Sequence, residues 1–212
     1  GGDVVVAFER FADATSLQSR SPVVVTTQGL WGGILHIERA LEFVRGVLYT
    51  SRYAAVNLRE LAARLDPERL TVAMHVRLGD FEAARPLSDE YRGQFNRALP
   101  LDWFIDLGIQ LRQAFGARVQ FQVFSDGTPA QLRSLVEAVE PVSTRVQCPC
   151  EVSDLLALAS ADLLLCSVSS YSVWAAALSR APYVWFRHQL QVHDAAWLSV
   201  WVALRPWRRF SD

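Results

Sequence analysis

The sequence predicts an α/β fold: a Rossmann-like, doubly wound, mostly parallel sheet over residues 71–190, with a partial α/β region before it and a tail helix after it. Two patterns carry that expectation. From residue 70 onward, short apolar runs rich in β-branched residues alternate with segments whose apolar spacing is near three and four. No internal repeat or low-complexity linker interrupts the alternation.

The elements follow in order. "LTVAMHV" (70–76) reads as a buried strand, and "LDWFIDLGIQLRQAF" (101–115) as a helix with Asp102 near its start. "RVQFQVFSD" (118–126) alternates apolar and polar residues, then stops at Ser-Asp-Gly. "TPAQLRSLVEAVE" (128–140) predicts a helix capped by Thr128, with Pro129 at its first position. "TRVQC" (144–148) is a weaker strand, and "SDLLALASA" (153–161) a helix capped by Ser153 or Asp154. "DLLLCSV" (162–168), "SYSVWAAALSR" (170–180) and "PYVWF" (182–186) read as strand, helix and last strand. Residues 1–70 predict strands near 4–8 and 22–27 and helices near 33–48 and 53–65, the remainder of a partner domain or a bridge into the main one. The tail, 191–212, holds "AAWLSVWVALRPW", a candidate helix whose three tryptophans can pack back onto the core.

Composition excludes several classes. The 212 residues are 51% hydrophobic and 20% charged, enough to bury a large core. A net charge of −1, with no basic stripe interleaved with aromatics, gives no support to nucleic acid as a partner. All 21 basic residues are arginine. Chemistry that needs a P-loop lysine, a pyridoxal Schiff base or a kinase lysine is therefore excluded. Cys148-Pro-Cys150 is too closely spaced for an ordinary zinc site, and Cys166 reads as a small buried hydrophobe. No apolar run reaches the length of a membrane span, and with no signal peptide in view a cytoplasmic bacterial protein is expected. No G-x-G-x-x-G follows a strand, which argues against a dinucleotide enzyme.

Ligands of open α/β sheets bind beyond the carboxyl ends of the strands, where the strand order reverses. With an order of 3-2-1-4-5, the ends "HVRLGD", "FSDG" and "CSVSSYS" share one rim. Arg77 offers a guanidinium fork suited to phosphate oxygens. His75 can donate to a phosphate or hold Arg77, and Asp80 can orient Arg77 or act on a substrate hydroxyl. Ser169, Ser170 and Ser172 sit where a helix N-terminus presents unpaired N–H groups. Asp126 can accept from a ribose hydroxyl or a base, and Asp154 from a purine. Each also has a plain structural reading: a surface ion pair, an N-cap, a turn residue, a helix cap.

These residues also carry a resemblance. "HVRLGD" resembles the HxRxGD-type motif of the fucosyltransferases, the α1,2-, α1,6- and protein O-types alike. "VFSDG" resembles their second motif, and residues 153–179 resemble their third, nearest to the bacterial α1,2-type family. The resemblance implies an inverting glycosyltransferase of GT-B architecture that takes GDP-fucose as donor and a glycan as acceptor, with no metal or other cofactor. It implies that Arg77 holds the diphosphate with His75 beside it, and that Ser169, Ser170 and Tyr171 meet phosphate or ribose. Asp126 and Asp154 would face the guanosine. For the base that deprotonates the acceptor, Asp80 and Glu82 are candidates, and a residue from the N-terminal side is the alternative. The chain departs from the pattern at Leu78, Gly127 and Val168, and "QGLWGG" (28–33) only distantly echoes the glycine-rich opening of the α1,2 type. A non-catalytic GDP-sugar-binding or scaffolding relative is the alternative of a different class.

Overall fold

A computed structural model describes residues 40–85, 96–146 and 151–186. The expected strands near 4–8 and 22–27, the Cys148 and Cys150 pair and the tail helix lie outside the described residues. Within them, the chain forms α1 (Leu41–Tyr49), α2 (Arg52–Ala62), β1 (Leu70–Val76), α3 (Leu101–Phe115), β2 (Val119–Ser125) and α4 (Arg133–Val139). There follow β3 (Ser143–Val146), α5 (Glu151–Ala159), β4 (Leu163–Cys166), α6 (Ser170–Leu178) and β5 (Tyr183–Trp185).

The strands make one five-stranded sheet in the order β3-β2-β1-β4-β5, and every pairing is parallel. This is the Rossmann-like arrangement expected, with the reversal between β1 and β4. The two faces of β1 divide by side-chain alternation. Val72, Met74 and Val76 join Val119, Phe121 and Val123 of β2 against Phe104, Leu135 and Val139, so α3 and α4 cover one face. Ala73, Leu164 and Cys166 meet Leu158, Val173 and Ala176, so α5 and α6 cover the other. Gly108 lets α3 and α4 approach closely: a Cβ there would lie 2.6 Å from Val139 Cγ1.

The alternation in β2 does not put its polar residues in water. Gln120 and Gln122 are both buried, and each is satisfied. Gln120 Nε2 donates to the Asp66 carbonyl at 2.8 Å and to Thr71 Oγ1 at 3.0 Å, and Gln122 donates to Ser143 Oγ at 3.2 Å. Buried amides so paired avoid the desolvation penalty and tie β2 to β1 through Gln120 and to β3 through Gln122.

Two expectations are corrected. The helix expected from Thr128 starts at Arg133; Thr128 and Gln131 instead bond reciprocally around a preceding turn, Thr128 N to Gln131 Oε1 at 2.8 Å and Gln131 N to Thr128 Oγ1 at 3.3 Å. α5 begins at Glu151, so Ser153 and Asp154 lie inside its first turn and cap nothing. α1 and α2 pack against α5 and α6: Ala54 shares a buried cluster with Leu156, Ala159 and Leu178, with Leu41, Val44 and Leu48 packed against it.

Candidate functional site

The end of β1 is tied to both neighbouring strands by side chains rather than by further ladder bonds. On the β4 side, the Arg77 N–H donates to Ser167 Oγ at 2.9 Å. On the β2 side, the Leu78 N–H donates to Asp126 Oδ1 at 2.8 Å, and Ser125 Oγ donates to the Val76 carbonyl at 2.6 Å. Two backbone donors beyond the strand are thereby satisfied, as the accounting of partly buried N–H groups requires.

Arg77 leaves this frame with its guanidinium between two carboxylates. Nη1 lies 2.9 Å from Asp126 Oδ2 and Nη2 lies 2.7 Å from Asp80 Oδ1. The Phe81 ring lies below, 5.6 Å from the guanidinium carbon. The Arg77 side chain is 30% exposed, so it is held but reachable from solvent. Gly79 is needed for this packing: a Cβ there would come within 2.5 Å of Asp126 Oδ2. That is a steric demand for glycine and gives the "RLGD" spacing a physical cause.

His75 turns its Nδ1 the other way, toward α6. It is buried, its Nδ1 lies 2.6 Å from Ser172 Oγ, and its ring meets that of Tyr171 at 4.9 Å between centroids. Burial lowers its pKa to about 4, with Asp126 opposing and Arg77 reinforcing the shift. His75 is therefore neutral at physiological pH.

The start of α6 brings the serines in. Ser169 is the N-cap, its Oγ accepting from Ser172 N at 3.2 Å. Ser170 is exposed at the first helical position. Ser172 is fully buried, so it faces His75 and is no donor to a ligand on the rim. The Tyr171 hydroxyl donates to the Glu151 carbonyl, joining α6 to the start of α5, and burial raises the phenol's pKa further above its ordinary range.

The two aspartates expected to face a nucleobase are engaged by arginines. Asp126 bonds Arg77 and Leu78 with its two oxygens. Asp154 is buried and pairs with Arg145 Nε at 3.0 Å; burial raises its pKa, and Arg145 opposes that. Glu82, the other candidate base, lies 2.5 Å from Arg97 Nη2. Three contributors were not anticipated. Ser167 closes β1 onto β4, Arg145 meets Asp154, and Arg97 holds Glu82.

Two hollows open on the described surface. The larger, about 540 Å³, lies between Arg45, Tyr49, Asp162, Leu178 and Arg180, at the amino ends of β4 and β5. The smaller, about 350 Å³, is lined by Leu78, Gly79, Phe81, Ala83 and Leu99, directly beside Arg77. Size favours the first. The carboxyl-end rule favours the second, whose own lining is uncharged but which adjoins Arg77. Among the described residues, no three His, Cys, Asp or Glu side chains come together as a metal site, and no helix is long and apolar enough to cross a membrane.

The fold and rim define a Rossmann-like α/β unit with an arginine at the switch point. No family model matches the sequence, and no curated protein does. Among solved structures, the chain is similar to POFUT1 in complex with GDP-fucose, at 16% identity and a TM-score of 0.41, over 64% of this chain and 47% of that one. The chain thus spans about half the length of that structure.

Proposed function

We propose that this chain is the donor-binding part of an inverting, metal-independent glycosyltransferase that moves fucose from GDP-fucose to a glycan hydroxyl. The observation that carries the reading is the Arg77 guanidinium, held by Asp126 and Asp80 at the carboxyl end of β1. The motif resemblance of "HVRLGD", "VFSDG" and residues 153–179 supports the choice of donor.

The chemistry follows from the groups present. An acceptor oxygen attacks the anomeric carbon on the face opposite the diphosphate. The bond from that carbon to the β-phosphate oxygen breaks, and GDP leaves with the electron pair. The acceptor proton passes to a base. Charge grows on the departing diphosphate, and Arg77 with the N-terminus of α6 supplies fixed positive potential there. Of the two candidate bases, each exposed and each paired with an arginine, Asp80 is the one beside Arg77, where the diphosphate would sit.

A second reading is a GDP-sugar-binding module without turnover. It is favoured by the engagement of both candidate carboxylates, Asp80 by Arg77 and Glu82 by Arg97. Calorimetry against GDP, UDP and CMP, with and without Mg²⁺, tests what the two readings share. Binding of GDP alone, indifferent to Mg²⁺, is expected; preference for UDP or a metal requirement would overturn both. Release of GDP from GDP-fucose in the presence of glycan acceptors then separates enzyme from module.

A further inference from the structure

We propose that Ser172 is a positioning residue that locks His75 in the tautomer with hydrogen on Nε2, so that the crevice meets a neutral N–H donor. The donor's service to a diphosphate rests on the reading above; the tautomer does not.

The argument is an accounting of hydrogens around one buried hydroxyl. Ser172 Oγ lies 2.6 Å from His75 Nδ1. Cys166 lies beside this pair, in register with His75 across β1 and β4. Burial raises its pKa well above the ordinary value, so it is a neutral thiol. Ser169 Oγ donates to Ser172 Oγ at 3.5 Å, a long bond.

A serine hydroxyl has one hydrogen and two acceptor sites. Of its neighbours, imidazole nitrogen is a good acceptor, whereas thiol sulfur is a weak one. With Ser169 Oγ donating to Ser172 Oγ, the one Ser172 hydrogen is left for His75 Nδ1. With Nδ1 accepting, the single ring hydrogen of neutral His75 sits on Nε2. Among the described residues, Nε2 finds no hydrogen-bond partner, which leaves it for a ligand. Burial and Arg77 both disfavour the imidazolium; Asp126 opposes them; Cys166 and Tyr171 are uncharged at neutral pH.

Long-range nitrogen–proton NMR correlations on the uniformly labelled full chain read this directly. The chain has four histidines, and His75 is assigned by its loss in His75→Asn. Unprotonated Nδ1 and protonated Nε2 are expected at pH 7. The opposite tautomer, or an imidazolium, would overturn the proposal without any further variant. Ser172→Ala should yield a mixture or the Nδ1–H form, whereas Cys166→Ala, which disturbs the same buried place but leaves the hydroxyl, should keep Nε2–H. Retention of pure Nε2–H in Ser172→Ala, or equal scrambling in Cys166→Ala, would sink it. Should Ser172→Ala fail to fold, the wild-type and Cys166→Ala spectra decide. GDP added to the wild type should shift Nε2. A correct tautomer with no response to GDP overturns the diphosphate reading alone.

Discussion

Arg77 joins a structural duty to the functional one, and a variant separates them. Its two ion pairs are partly exposed, with Asp126 28% and Asp80 71% accessible, so losing them should cost stability by only about 1 kcal/mol or less. Its transition-state duty is larger, because a lost preorganised donor lowers kcat by roughly 10²–10³-fold. Arg77→Ala should therefore lower turnover on that scale while its melting temperature stays within a few degrees of wild type; near-normal turnover would remove Arg77 from the mechanism. Arg77→Lys keeps the charge but loses the fork, and should rescue little.

His75 makes a separate prediction about pH. Its ordinary value is 6.5 and its folded value about 4. Between these, the unfolded chain binds a proton that the folded chain refuses, so stability falls as pH drops through that window. The groups facing it are Arg77 from β1, Asp126 from β2, Cys166 from β4 and Tyr171 from α6, and Asp126 alone favours the charged ring. Urea unfolding from pH 7 to pH 4 should show a steeper acid decline for wild type than for His75→Asn. Parallel declines would mean that His75 is not the neutral buried group described.

At this scale the sequence was legible in part. Arg77 and His75 were readable as strand-end groups, because an apolar run that stops abruptly at "HVRLGD" marks where a buried strand leaves its sheet. Which serine of "SVSSYS" turns inward was not readable. That depends on the rotation of α6 over the sheet, and no local pattern reports it. The Arg145–Asp154 pair was hidden for a similar reason: the two residues are nine apart, in a strand and a helix, and only packing shows that they meet.

Among the elements, α4 carries a visible local cost. Its C-cap residue Glu140 is held at φ 46 and ψ 64, a left-handed conformation, with its N–H bonded to the Val136 carbonyl. For a residue with a Cβ that conformation is unfavourable by roughly 1–2 kcal/mol, and helices commonly end there in glycine. Glu140 is exposed and bears no described ion pair, so Glu140→Gly should raise stability by roughly 0.5–1 kcal/mol after glycine's greater unfolded-state entropy is offset. Denaturant midpoints check this; a loss of stability would mean that the carboxylate matters in a way the cap geometry does not show. The same helix shows the limit of capping rules read from sequence. Thr128 and Pro129 do organise a turn, but the turn closes on Gln131 before the helix begins.

For the molecule as a whole, the parallel order was legible because strand and helix alternate without a break from β1 to β5, and right-handed crossovers leave few arrangements. The placement of α1 and α2 was less so. Their apolar spacing marks them as helices, yet nothing local says that Ala54 packs against Leu156 and Leu178 rather than against a separate domain.

The strand order has a consequence for how the chain is made. Among the described residues, β1 is the first strand of the sheet in sequence and its central strand in space, with Leu70 paired to Val119 and Val72 to Leu163. Emerging from a ribosome, "LTVAMHV" must wait for about fifty residues before one edge is covered and about ninety before the other is, an interval in which pairing with another chain competes. The strand that leads into Arg77 is thus both the anchor of the rim and the strand that waits longest for its second partner. A nascent chain that stops before β4 leaves that strand open along one whole edge.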